Sequence, residues 1–163
     1  MELKNINCLP WDRIAHWYGR GGNLPEIIRD LGNGNHAWAV RELELKLEHQ
    51  DGLHQATPFA VFFIIEMLQK NTVRDHAAVW EILCKFDETA AFQMRSDKPV
   101  PVLLDWNQLL EERRLLPVYI DEYNDEILWE EWDPSYEEWY SWCALTRQLI
   151  RSAYPDFPEK QSA

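Results

Sequence analysis

The sequence predicts an all-α fold in which antiparallel helical hairpins pack around one buried helix. Three observations carry this. The block PFAVFFIIEML at residues 58–68 is apolar on nearly every helical side, with Glu66 its single charge, so it must be buried on nearly every side. Cap residues and first-turn prolines mark helix starts, at Thr57-Pro58, at Asn23 with Pro25, and at Asp133-Pro134. Runs that alternate apolar and polar residues, as half-buried strands do, are nearly absent. The apolar block is too short for a bilayer, which needs about 20 such residues. It is therefore read as the central helix, Pro58 to Leu68, capped by Thr57.

The elements follow in order. Trp11 precedes a short helix, Asp12 to Tyr18, which Gly19, Gly21 and Gly22 end. This glycine run lacks the G-K-[ST] ending and the preceding strand of a phosphate loop, so it reads as a helix-ending loop. Asn23 caps a short helix through Ile27, Ile28 and Leu31, closed by Gly32 and Gly34. Asn35 caps the next, His36 to His49. Its apolar face takes Ala37, Trp38, Val40, Leu43, Leu45 and Leu47, and Glu42 and Lys46 form a favourable i,i+4 pair. Thr72 and Asp75 form a capping box for a helix from Val73 to about Phe86. Residues 87–101, with Asp97, Pro99 and Pro101, read as a loop with one helical turn at Thr89 to Met94. A leucine-rich helix spans Val102 to Leu116. A last helix runs from Ser135 to Ala153 after the Asp133 cap, with Trp139, Trp142, Cys143, Leu145, Leu149 and Ile150 inward. The tail, 154–163, frays.

A chain of 163 residues fits one domain and can bury a core without disulfides or metal. Cys8, Cys84 and Cys143 are odd in number and far apart, which fits reduced, mostly buried thiols in a cytoplasmic protein. No secretory leader is expected from MELKNINCLPWD. The formal net charge is −12. That argues against direct nucleic-acid binding and fits a basic protein partner. The acidity is regional. Residues 1–100 carry 11 basic and 14 acidic side chains, and residues 101–163 carry 5 and 14.

No nucleophile motif, cofactor loop or metal-ligand spacing is present, so no catalytic residue, metal or cofactor is expected. His49 and His54 flank a turn without a nearby Cys and read as loop anchors or solvated residues. The distinctive stretch is acidic and aromatic. Tyr and Trp are enriched at interface centres, and carboxylates around them receive Arg and Lys from a basic partner. The candidate partner-binding residues are Tyr123, Asp125, Glu126, Trp129, Glu130, Glu131, Trp132, Tyr136, Glu137 and Trp139. The competing reading makes Trp129, Trp132 and Trp139 core residues beside merely solvated acids. The loops Gly19 to Asn23 and His49 to Gln55 are the next candidates for the interface.

Trp11-Asp12-Arg13, His16-x-Tyr18-Gly19, Leu24-Pro25, Leu31, Leu43, Leu47-x-His49-Gln50 and Ala56-Thr57-x-x-Ala60-Val61 follow one another in an order that resembles a family. It looks like the N-terminal half of bacterial HEAT-like helical proteins found beside polymorphic toxins. The resemblance covers about residues 11–86. The acidic-aromatic helical part, 102–153, lies outside it. What it implies is a short α-solenoid of antiparallel hairpins without enzyme activity. Several such proteins are thought to be immunity proteins, so the expected function is to bind and neutralise a cognate toxin domain. The alternative is a HEAT-like scaffold or regulatory adaptor for a basic protein.

Overall fold

The computed structural model describes residues 5–118 and 132–157. The chain is mostly helical, as its sequence predicts. The helices are α1 (Leu24–Asp30), α2 (His36–Leu47), α3 (Ala56–Gln69), α4 (His76–Met94), the single turn α5 (Trp106–Leu109) and α6 (Tyr136–Ala153). Two small antiparallel hairpins interrupt them: β1 (Ala15–His16) with β2 (Gly19–Arg20), and β3 (Glu48–His49) with β4 (Gly52–Leu53). Among the described residues no helix is long and apolar enough to cross a membrane.

The central helix is where the sequence puts it. Ten of its residues, from Ala56 to Leu68, are buried, and Phe59 and Ile64 are wholly inaccessible. Its start differs from the sequence reading. The helix begins two residues before Pro58, and Thr57 lies inside its first turn. The Thr57 hydroxyl accepts the His54 N–H at 3.0 Å and donates to the Leu47 carbonyl at 2.7 Å. It therefore ties the end of α2 to the start of α3. A cap would satisfy one group, whereas this hydroxyl satisfies two in a site with no solvent access. Replacing Thr57 with the isosteric Val strands both. Each buried unpaired group costs about 1–3 kcal/mol, so urea denaturation of T57V should show a loss of about 2–4 kcal/mol. A loss of only a few tenths would mean that water reaches the site.

The end of α3 follows from Asn71, whose φ of 56° is the left-handed conformation Asn tolerates. The Thr72 N–H donates to Met67 and the Asn71 N–H to Leu68, closing the helix in a Schellman arrangement. Thr72 is thus spent on ending α3 and does not cap α4. Asp75 does, accepting the Ala78 N–H at 3.0 Å. The same turn explains Gly32: a Cβ there would lie 2.6 Å from the Thr72 carbonyl oxygen.

Four expected elements differ. The helix expected over Asp12 to Tyr18 is one 3-10 turn (Trp11–Arg13) followed by the β1–β2 hairpin. Helix α2 stops at Leu47, because Glu48 turns extended and opens β3. Gln50 and Asp51, at φ 49° and 59°, make the tight two-residue turn of the second hairpin. On α2 only Ala39, Leu43 and Leu47 are buried, whereas Trp38 and Leu45, read as core-facing, are 44% and 46% exposed.

Helix α4 does not end at Phe86. It runs through Asp87 to Met94, across the expected loop. Asp87 is buried because Arg151 and Arg147 of α6 reach it at 2.9 and 3.2 Å. The leucine-rich stretch is the converse case. Instead of one helix it forms α5 and a 3-10 turn (Glu112–Arg114), since its backbone is bonded elsewhere. Leu104 N–H donates to Ser141 Oγ, Leu116 N–H to the Arg13 carbonyl, and Arg13 Nε to the Leu116 carbonyl.

Helix α6 packs most extensively on α4 and then on α3, and α1 pairs with α2. Its cap is Ser135, two residues after the expected cap Asp133, in a capping box with Glu138. The inward set is narrower than expected: Trp142, Cys143 and Ile150 are buried, and Trp139, Leu145 and Leu149 are half-buried. The tail does not fray at once. Tyr154 and Phe157 pack on Trp80, with ring centres 4.9 and 4.7 Å away. Residues 158–163 lie outside the described residues.

Candidate functional site

The two hairpin tips stand side by side. The Trp17 N–H donates to the Lys46 carbonyl at the end of α2, and Trp17 Nε1 donates to the Gly52 carbonyl at 3.1 Å. This holds the Trp17 ring edge-on to His54, 4.8 Å between centres, and near His49 at 5.7 Å. The end of α4 and the start of α6 face these tips. Between them lies an open cavity of about 560 Å³. The first hairpin contributes His16, Trp17 and Tyr18, the second Leu53 and His54, and α4 contributes Gln93. Trp132, Pro134, Trp139 and Trp142 close it from the C-terminal side.

The rings are mutually packed. His54 stacks on Trp142 at 5.7 Å and 18°, and Trp132 lies 5.0 Å from His54 and 6.2 Å from Trp142. His54 Nδ1 must be the protonated nitrogen, because it donates to the Ala15 carbonyl at 2.9 Å. Its Nε2 is then an acceptor. In His16 the assignment reverses: Nδ1 accepts the Tyr18 N–H at 2.9 Å, so Nε2 carries the proton. Burial pushes both imidazoles down to about 4, with the Lys46 charge adding to the effect on His16. Both are therefore neutral near pH 7. No charged side chain is among the described residues that line the cavity.

Two donors on cavity-lining residues have no acceptor among the described residues. Trp142 Nε1 is buried without a partner. Gln93 spends its carbonyl oxygen on the Leu53 N–H, at 2.8 Å, and the Cys143 thiol, at 3.1 Å. Its Nε2 group makes no such bond. Burial raises the Cys143 thiol to about 12, so it stays protonated and acts as that donor. Of the other cysteines, Cys84 is half-buried and Cys8 is exposed, against the expectation of mostly buried thiols. Gly52 lets Trp17 and Gln93 pack closely on the second hairpin: a Cβ there would lie 3.0 Å from Trp17 Cζ2 and 3.2 Å from Gln93 Nε2.

Four of the sequence-predicted partner-binding residues are described. Trp132 and Trp139 line the cavity and are half-buried, so neither is a fully enclosed core residue. Tyr136 packs beside it, 5.0 Å from Trp139, with the Lys98 ammonium 5.1 Å over its ring. Glu137 is exposed on the first turn of α6. Tyr123, Asp125, Glu126, Trp129, Glu130 and Glu131 lie outside the described residues. Sequence reasoning missed His16, Trp17, Tyr18 and Gln93 as cavity residues. His54, read as a loop anchor or a solvated residue, is buried and bonded to the Ala15 carbonyl, and is a cavity wall as well. The one signal available was the pairing of Trp17-Tyr18 and His54 with turn-forming neighbours.

A second cleft of about 430 Å³ runs between α2, the Gln50-Asp51 turn and Lys85. Its charges are largely matched internally, with Lys85 on Glu44 at 2.6 Å and on Glu48 at 3.0 Å. Among the described residues no group of three or more His, Cys, Asp or Glu side chains converges as a metal site.

Fold and site together define a small, mostly helical protein whose described residues form an aromatic-walled cleft. No protein family, no curated protein and no solved structure matches the chain.

Proposed function

We propose that this protein is a binding protein without catalytic activity, and that it acts as a cytoplasmic immunity protein neutralising a toxin domain with a basic surface. In this reading its helical hairpins form a short HEAT-like solenoid, and the partner docks where the acidic-aromatic segment meets the cavity. The observation that carries the binding reading is the half-exposed aromatic wall. Trp17, Tyr18 and Trp139, part-exposed at a cavity of about 560 Å³, are large, rigid contacts of the kind that dominate protein interfaces. The regional acidity supports a basic partner, since complementary charge speeds encounter and disfavours wrong partners. The link to toxins rests on the family resemblance of residues 11–86.

The test is co-expression with any toxin domain that the neighbouring gene encodes. Cells should survive with the wild-type protein. A variant with Glu130, Glu131 and Glu137 reversed to Lys, while still folded, should protect poorly and associate more slowly. Death of cells that carry ample soluble protein would overturn the immunity reading. Stable capture of a basic housekeeping protein instead would favour the scaffold or adaptor.

A further inference from the structure

We propose that the aromatic cavity is a receptor for one arginine side chain of a peptide or protein, held by its guanidinium face on the indole rings and by its own peptide group on the cavity's donors. This deepens the binding reading above, and rests on it for the source of the arginine.

The walls are suited to a planar cation. Trp17, Tyr18, Trp132 and Trp139 present aromatic faces or edges at the cavity. A guanidinium is attracted to such rings and stacks on them, most strongly where water is excluded. Nothing described in the lining repels it. Among the described residues there is no Lys or Arg in the wall, and both imidazoles are neutral at physiological pH. The field outside draws it in: residues 101–163 carry 14 acidic and 5 basic side chains, and exposed Asp133 and Glu137 flank the cavity residues Trp132 and Trp139 in sequence. The neighbouring Tyr136 ring already takes a cation from within the chain, the Lys98 ammonium at 5.1 Å.

The polar groups favour arginine in a peptide over a free organic cation. Because Nδ1–H of His54 is committed to Ala15, its Nε2 remains an acceptor on a ring that lines the cavity, and a guanidinium brings five donors. Conversely, the Trp142 indole N–H and the Gln93 amide lack acceptors among the described residues, and a cation alone supplies none. A peptide carbonyl beside the guanidinium does. Cavities of roughly 300–1,000 Å³ enclose whole ligands, so one of about 560 Å³ has room for the side chain with its flanking peptide units.

The experiment is a titration of the ¹⁵N-labelled full chain followed through its nine tryptophan indole signals. The probes are acetyl-Gly-Arg-Gly-amide, the same peptide with citrulline, and methylguanidinium, at physiological ionic strength. Citrulline keeps the shape and removes the charge. Methylguanidinium keeps the charge and removes the peptide. The arginine peptide should shift the cavity indoles saturably, with both controls at least tenfold weaker. W139A should lose the response, as should Y18A, which alters a 55% exposed residue and so removes little packing. Equal binding of citrulline would overturn recognition of charge, and equal binding of methylguanidinium would overturn the peptide occupant. A response unchanged in both variants, or no saturable shift at all, would remove the cavity as the site. No toxin enters this titration, so its failure and a failure of the rescue experiment are read separately.

Discussion

Between pH 7 and pH 5 the protein is expected to lose about 3–4 kcal/mol of stability through two histidines alone. His16 and His54 are almost wholly buried, and in the folded chain each takes up a proton only near pH 4, against about 6.5 when unfolded. Above the unfolded value both states are neutral and the rings have no effect on stability. As pH falls below it, the unfolded chain binds protons that the folded chain refuses, so acidification favours unfolding. At pH 5 the difference amounts to about 2 kcal/mol for each ring, and the loss is complete below about 4. His54 is lowered by burial alone, with its bond to the Ala15 carbonyl acting against the shift. For His16, burial leads, the charges of Lys46 and His54 add to it, and the Arg20 backbone and Glu42 oppose it. Urea denaturation at pH 7 and pH 5 checks this, with H16Q/H54N as the comparison. The wild type should show the steep dependence and the double variant a flatter one. Equal stability of the wild type at both pH values would mean that solvent reaches the rings.

Phe59→Ala should cost about 3–5 kcal/mol. The side chain is completely inaccessible in the first half of α3, and its ring lies 5.0 Å from Trp106 of α5. Truncation removes apolar surface and leaves a void between the central helix and the 104–116 segment, which is pinned by bonds to Arg13, Gln55 and Ser141 and cannot collapse freely. A decrease in the denaturation midpoint at constant slope is the expected signature. Leu45→Ala is the contrast. By sequence it belongs to the apolar face of α2, but it is 46% exposed, so its loss should change stability by no more than about 0.5 kcal/mol. Comparable losses for the two variants would contradict the assignment of the core.

Local chemistry made several features legible. The apolar block at 58–68 had to be buried, and it is. The Glu42–Lys46 pair forms at 2.8 Å. The helix starts near Leu24, His36 and Tyr136 lie within a residue or two of their expected places, helped by the first-turn proline Pro25 in α1 and the Ser135 cap of α6, although the Asn23 and Asn35 side chains make no cap bond. The aromatic character of the C-terminal third pointed to Trp132 and Trp139, which do line a cavity.

What only the tertiary structure decided depends on partners distant in sequence. A loop is expected from residue 87 onward, yet α4 continues to Met94, with Asp87 buried against Arg147 and Arg151 of α6, some sixty residues later. The leucines of 102–116 have helical spacing, but their backbone groups are taken by Arg13 and Ser141, and a helix cannot propagate through donors already spent. The cavity has the same origin. Trp17, His54, Gln93 and Trp139 come from four separate elements, and no spacing along the chain records that the folded backbone brings them to one place. Sequence fixes interactions between near neighbours, and a cleft built from distant ones exists only once the helices have packed.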